Sequence, residues 1–206
     1  YIENGWQLKD TVRIAPMLEK AGVAYLHISG GVYGSTELTI PSMYTEHGCF
    51  VHLAREVRKH VNIPVITVGR IKYPDHAEKI IADGDADMVA LGRSIIADPY
   101  YPEKAKNGEF EKIRPCIGCC LGCIHAVLAK EPGSCVVNPD VGREYKLKDE
   151  KAPENKITVL IAGAGPAGMA AARQFAVLGH NTVLCEKGPD TGGLLELASK
   201  APGREE

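Results

Sequence analysis

The chain has 206 residues, 45% of them hydrophobic and 24% charged, with a formal net charge of -2. That length suits one or two soluble domains, and a near balance of charge with no basic stripe makes nucleic acid and anionic membranes poor partners. No run is long and apolar enough to span a bilayer. The seven cysteines, an odd count without a signal-peptide pattern, point to a reducing, cytoplasmic setting rather than a disulfide framework.

Lys9 to Lys20 carries Val12, Ile14, Ala15 and Leu18 in an imperfect helical stripe, and Ala21-Gly22 supplies a stop. A strand over Ala24 to Ile28 follows. After the loop Ser29 to Gly48 the rhythm repeats: a helix over Val51 to His60, a strand over Pro64 to Val68, a helix over Pro74 to Asp83, and a strand over Asp87 to Leu91. Three parallel strands with interleaved helices are expected. An open doubly wound sheet and a (β/α)8 barrel both produce this pattern.

Gly69-Arg70 and Gly92-Arg93 fall at the carboxyl ends of successive strands. Each glycine lets backbone N–H groups approach an anion, and each arginine can add a charge-assisted hydrogen bond. Together they read as a phosphate cradle of the kind a barrel builds after its last strands. The plainer alternative is two ordinary strand-end turns with solvated arginines.

Next come Cys116, Cys119, Cys123 and Cys135, spaced C-x2-C-x3-C-x11-C. Thiolates at this spacing can converge on one inorganic centre, and a cubane iron-sulfur cluster is the natural occupant. A structural zinc remains the alternative, although zinc knuckles are more often two similar pairs. The stretch KLKDEKAPENK beyond is charged and aperiodic and reads as a solvated linker.

ITVLIAGAGPAGMAAARQFAVLGHNTVLCEK is a strand-turn-helix-strand unit with Gly163, Gly165 and Gly168 in G-x-G-x-x-G at the turn. The glycines allow a tight turn, close pyrophosphate approach and helix-strand packing, with the helix N-terminus facing the anion. Glu186 ends the second strand where a carboxylate accepts hydrogen bonds from an adenosine ribose. FAD or NAD(H) is favoured over NADP(H), and Gly192-Gly193 in the segment that follows tilts the choice to FAD.

The segments HISGGVYG, PVITVGRI, ADMVALGRSIIADP, RPCIGCC, SCVVNP, VLIAGAGPAGMAAA and GGLLELASKAPGREE together resemble the NADH:flavin oxidoreductases related to 2,4-dienoyl-CoA reductase, 2-enoate reductase and trimethylamine dehydrogenase. The resemblance runs through essentially the whole chain. It implies an old-yellow-enzyme-like barrel joined to a FAD and NAD(H) module, in which electrons pass from NAD(P)H through FAD and a [4Fe-4S] cluster to FMN, which reduces an activated C=C bond of an unsaturated acyl or carbonyl substrate. It implies FMN-phosphate contacts at Arg70, Gly92 and Arg93, cluster ligation by the four cysteines, and FAD contacts at Ala167, Glu186, Leu194 and Arg204 beside the motif glycines. The expected divisions are residues 1–113 as the end of the barrel, 114–144 as the cluster module, 145–156 as a linker and 157–206 as the start of the FAD domain.

Some residues depart from that pattern. The loop where dienoyl reductases carry a catalytic histidine offers only Tyr33, so proton donation is unassigned, with Tyr33 as a candidate acid or a positioning group. Cys120 stands where relatives often carry asparagine and is expected beside the cluster rather than on it. His27 and His125 are expected to pack or hydrogen-bond, and Cys49 and Cys185 to be buried hydrophobes. Three barrel strands and two Rossmann strands are too few to close either fold, so both ends look cut and exposed edges are expected to drive self-association. An amine dehydrogenase and a non-catalytic electron-transfer or zinc scaffold are the alternative functions.

Overall fold

A computed structural model describes residues 3–147 and 153–202, and the chain falls into two units, Tyr1–Gly142 and Arg143–Glu206. In the first unit α1 (Leu8–Lys20) starts where the Asp10 carboxylate accepts the Gln7 N–H at 3.0 Å. Its Leu8, Val12 and Ala15 pack towards Leu26 of β1 (Leu26–Ile28) and Val57. The next loop holds a 3-10 turn, Tyr33–Ser35, and the single-turn α2 (Thr36–Thr39). Then come α3 (Val51–Arg58), β2 (Val65–Thr67), α4 (Pro74–Ala82), β3 (Met88–Val89), α5 (Arg93–Ala97) and α6 (Tyr101–Lys106). A second 3-10 turn, Phe110–Lys112, leads into the cysteine segment and α7 (Ile124–Ala129).

The three strands pair in parallel in the order β1-β2-β3, with Leu26 opposite Val65, Ile28 opposite Thr67 and Thr67 opposite Val89. Alternation therefore puts Leu26, Ile28, Val65, Thr67 and Val89 on one face. That face carries the core: Val51 and Ala54 of α3 and Ile80 of α4 gather on Val65, while Ala15 of α1 and Val57 of α3 gather on Leu26. Val57 and Val65 are fully buried, and each burial contributes roughly 1.5–3 kcal/mol. The opposite face carries His27, Ile66 and Met88, of which His27 and Met88 are exposed. Helices on one face only is the winding of a barrel wall; a doubly wound sheet is covered on both. Of the two architectures open in the sequence, the first unit takes the barrel type.

The strands are shorter than the apolar runs. At the start of β3 a side chain supplements the ladder: the Asp87 carboxylate accepts the Val65 N–H at 2.9 Å as well as an ion pair from Arg58. A bidentate pair from Arg55 to the buried Asp85, at 2.5 and 2.6 Å, ties α3 to the same turn.

The second unit holds α8 (Glu144–Leu147), β4 (Thr158–Ala162), α9 (Pro166–Val177), β5 (Asn181–Cys185) and α10 (Leu194–Ser199). β4 and β5 are parallel and paired from Thr158 with Asn181 to Ala162 with Cys185. Proline opens α9 in its first turn, and Gly179, at φ +87°, lets the chain turn back after it. α9 covers one face of this pair, where Ile161 lies beneath Gly168. The other face is open, leaving the cross-strand pair Leu160 and Val183 exposed. Cys185 shares that open face and is exposed, contrary to its expected burial, because two strands with one helix cover a single side. No described helix is long and apolar enough to cross a membrane.

Candidate functional site

The ends of β2 and β3 open on one side of the first unit, and the residues that follow them line a common cavity of about 190 Å³. Gly69, Arg70, Gly92 and Arg93 are all in its wall, so the two Gly-Arg pairs come together as expected. Gly69 sits at φ +116°, and a Cβ there would press on the Phe50 ring at 2.8 Å and the Cys49 Sγ at 2.9 Å. Arg70 takes the left-handed backbone conformation, φ +49°, and its Nη1 donates to the Met43 carbonyl at 3.1 Å. Gly92 precedes the first turn of α5, and Arg93 begins it.

Lys72 also lines this cavity, though only 3% exposed, with its ammonium 4.7 Å from the centre of the Tyr73 ring. It adds a third cation to the wall. The sequence signal was present in Gly-Arg-Ile-Lys, a second basic residue two positions beyond Arg70, but its burial depends on the turn after β2. Cys49, expected as a buried hydrophobe, is half-buried beside Gly69. Burial pushes its thiol up, while its own backbone N–H and the charges of Arg70 and Arg93 act against that.

The cysteine segment adjoins this cavity. Cys116 lines it, and Cys116, Cys119, Cys120, Cys123 and Cys135 line a smaller cleft whose wall includes Arg93. The base of the loop is fixed at both ends. Asp98, 3% exposed, accepts the Arg114 N–H at 2.9 Å and the Lys104 ammonium at 2.6 Å, and the Asn138 side-chain amide donates to the Ile96 carbonyl at 2.9 Å. Burial pushes the Asp98 carboxyl up, but these donors prevail and hold it below the usual range. Within the loop, the Ser134 N–H donates to the Gly122 carbonyl at 2.9 Å, drawing the strand of chain before Cys135 against Gly122-Cys123. The Met43 N–H reaches the Gly118 carbonyl, also at 2.9 Å.

Burial pushes the Cys116 and Cys123 thiols up, and in both the Arg93 charge and a backbone N–H pull towards the thiolate. Among the described residues no three His, Cys, Asp or Glu side chains are arranged to hold a single metal ion. The sulfurs share a cleft without closing on one point. Their donor chemistry nevertheless fits an all-thiolate group: four sulfurs, a Gly118 N–H 3.4 Å from the Cys116 Sγ and a guanidinium are in place. Cys120 lines the same cleft. It takes the left-handed conformation, φ +58°, and its Sγ accepts from Arg93 Nη1 at 3.1 Å.

In the second unit the glycine turn joins β4 to α9 as the motif requires. A Cβ on Gly168 would overlap the Gly163 carbonyl oxygen, so only glycine lets the helix lie this close to the strand. Glu186 follows β5 and folds back: its carboxylate accepts the N–H groups of Ala164 at 2.8 Å, Lys187 at 2.8 Å and Gly188 at 3.1 Å. Those three donors hold its carboxyl below the usual range, so the charge is fixed beside the turn. The Gly192 N–H donates to the Ala164 carbonyl at 2.8 Å, which brings Gly193, just before α10, against Gly165. Ala167 is exposed in the first turn of α9 and Leu194 is exposed on α10. Arg204 lies outside the described residues. Tyr33 is fully exposed and lines neither cavity of the first unit just described.

Residues 5–111 match the model of the NADH:flavin oxidoreductase / NADH oxidase family, and residues 158–200 that of a FAD binding domain. The chain belongs to the NADH:flavin oxidoreductase / NADH oxidase family. An NADH oxidase of Thermoanaerobacter brockii is 48% identical over 99% of this chain and 32% of its own length. Among solved structures, a 2-naphthoyl-CoA reductase complexed with 2-naphthoyl-CoA matches with a TM-score of 0.90 and 34% identity, over 99% of this chain and 31% of that one. Histamine dehydrogenase from Rhizobium sp. 4-9 matches with a TM-score of 0.84 and 28% identity, over 96% and 28%. The chain thus spans about a third of the length of these flavin oxidoreductases.

Proposed function

We propose that this chain is the electron-transfer midsection of an iron-sulfur flavoprotein oxidoreductase that takes electrons from NAD(P)H and reduces a C=C bond of an unsaturated acyl or carbonyl substrate. In this reading residues 1–113 form the C-terminal part of an FMN-binding barrel, 114–144 would hold a [4Fe-4S] cluster and 157–206 begin a FAD domain. The observation that carries it is the shared wall of the first unit: Arg93 and Cys116 line both the strand-end cavity and the cysteine cleft.

When bound, FAD would supply two-electron exchange with NAD(P)H, the cluster one-electron transfer and FMN hydride chemistry. The chain's own residues bind and orient. Gly69 and Gly92 leave room for an anion at the strand ends, and Arg70, Arg93 and Lys72 supply positive charge for the FMN phosphate. Cys116, Cys119, Cys123 and Cys135 hold the cluster. The unequal C-x2-C-x3-C-x11-C spacing favours a cluster over the paired knuckles common for zinc. Gly163, Gly165 and Gly168 admit the FAD pyrophosphate, and Glu186, already aligned by three backbone donors, accepts from the adenosine ribose.

The likeness to a 2-naphthoyl-CoA reductase supports an unsaturated acyl substrate. The likeness to histamine dehydrogenase supports a second reading, an amine-oxidising enzyme built on the same parts. Iron, acid-labile sulfide, zinc and flavin are to be measured on anaerobically prepared protein, followed by turnover with NADH plus an enoyl thioester and with an amine. Equal iron and sulfide with NADH-dependent loss of the enoyl absorbance supports the first reading. Stoichiometric zinc without sulfide refutes the electron-transfer assignment, and flavin reduction by amine alone selects the second.

A further inference from the structure

Arg93 stands between the two cavities. Its Nη2 donates to the Pro41 carbonyl at 2.6 Å and its Nη1 to the Cys120 Sγ at 3.1 Å. The short stretch 41–43 that it grips is also held by Arg70 through the Met43 carbonyl, and that same Met43 donates its N–H to Gly118 in the cysteine loop. Both strand-end arginines and the cysteine loop therefore meet on one strap of chain. A guanidinium has five N–H donors in a rigid plane, so one side chain can hold Pro41 and Cys120 together while lining the strand-end cavity.

We propose that Arg93 is a positioning residue that joins the flavin-phosphate cradle to the cysteine loop and raises the reduction potential of the cluster held there, with Cys120 serving as its acceptor rather than as a cluster ligand. The inference rests on the cluster reading above. A fixed cation beside a cluster favours the added electron, and hydrogen bonds and net charge near the sulfurs are the levers by which proteins set such potentials. Arg93 lines the same cleft as Cys116 and Cys123, so its charge lies beside the proposed ligands as well as on Cys120. A lysine keeps the charge but cannot hold Pro41 and Cys120 at once in a plane.

The test is an EPR-monitored redox titration of the iron-loaded protein, with iron and sulfide counted on each variant. Arg93→Gln is expected to keep the parent's iron while its cluster potential becomes more negative by a tenfold shift in the oxidised-to-reduced ratio, about 59 mV for one electron. Arg93→Lys should fall between the two, and Cys120→Ala should keep full iron. An unchanged potential in Arg93→Gln with full iron overturns the link while leaving the cluster reading intact. Loss of most iron in Cys120→Ala overturns the acceptor role, and remains measurable should Arg93→Gln not fold. A parent with no iron and sulfide overturns the cluster reading and this inference with it.

Discussion

Asp98 accepts the backbone N–H of Arg114 at 2.9 Å across sixteen residues of chain, and this contact delivers the cysteine segment to the turn that follows α5. The same carboxylate takes the Lys104 ammonium and the Tyr100 N–H, so one buried charge organises two pieces of backbone and a lysine side chain.

Removing that charge should be costly. Asp98→Ala leaves the half-buried Lys104 with the Lys112 carbonyl but no counter-charge, and the Arg114 N–H without its acceptor, a loss of about 3 kcal/mol. Thermal melts of parent and variant measure it, and a change in Tm within error would refute the anchoring role.

The pH dependence has a definite sign. The Asp98 carboxyl titrates below its ordinary value in the folded state, so its contribution is full above the unfolded value of about 3.9 and is lost as pH falls through the lower folded value. Melts between pH 7 and pH 3 should show the parent losing more stability on acidification than Asp98→Asn. Parallel pH profiles would contradict this.

At Gly69 an added methyl group meets the Phe50 ring and the Cys49 sulfur, and the left-handed backbone adds strain. Gly69→Ala should destabilise the first unit by roughly 1–3 kcal/mol and lower the FMN content of the purified protein while sparing FAD. Flavins released by heat and separated by chromatography give the ratio.

Gly168→Ala should do the reverse. The overlap with the Gly163 carbonyl forces α9 away from β4, so FAD should be lost with FMN retained. A variant with both flavins at parent levels would show that the turn tolerates a wider helix approach.

For the cysteines, single replacement of Cys116, Cys119, Cys123 or Cys135 by serine should remove most of the bound iron, since a cluster of four irons needs its four thiolates. Iron retained in Cys119→Ser would exclude Cys119 from the ligand set.

Much of the arrangement was legible because it is local. Strand-end glycines, their neighbouring arginines and the G-x-G-x-x-G turn are fixed by residues a few positions apart, and the structure gathers them where the pattern requires. The alternation alone did not separate the two architectures; the strand-end Gly-Arg pairs and the family resemblance pointed to the barrel, and the contacts of α1, α3 and α4 with Leu26 and Val65 agree with it. Nor could sequence reveal Asp98, Asn138 or the Arg93 to Cys120 contact, whose partners lie 16, 42 and 27 residues away. Cys185 departs from its expected burial because only alternate residues of its strand face a helix. Lys72 was missed because a lysine after a strand is ordinarily solvated.

The stretch 96–98 receives both ends of the cysteine loop, through Asp98 to Arg114 and through Ile96 to Asn138. A loop whose ends are already joined has given up much of its closure entropy before any ligand arrives. Small metal domains fold only as the metal binds; here the protein scaffold would come first and the inorganic load afterwards. On the iron-sulfur reading, iron-free protein should therefore stay folded in its first unit, and iron-free and iron-loaded samples should melt at similar temperatures.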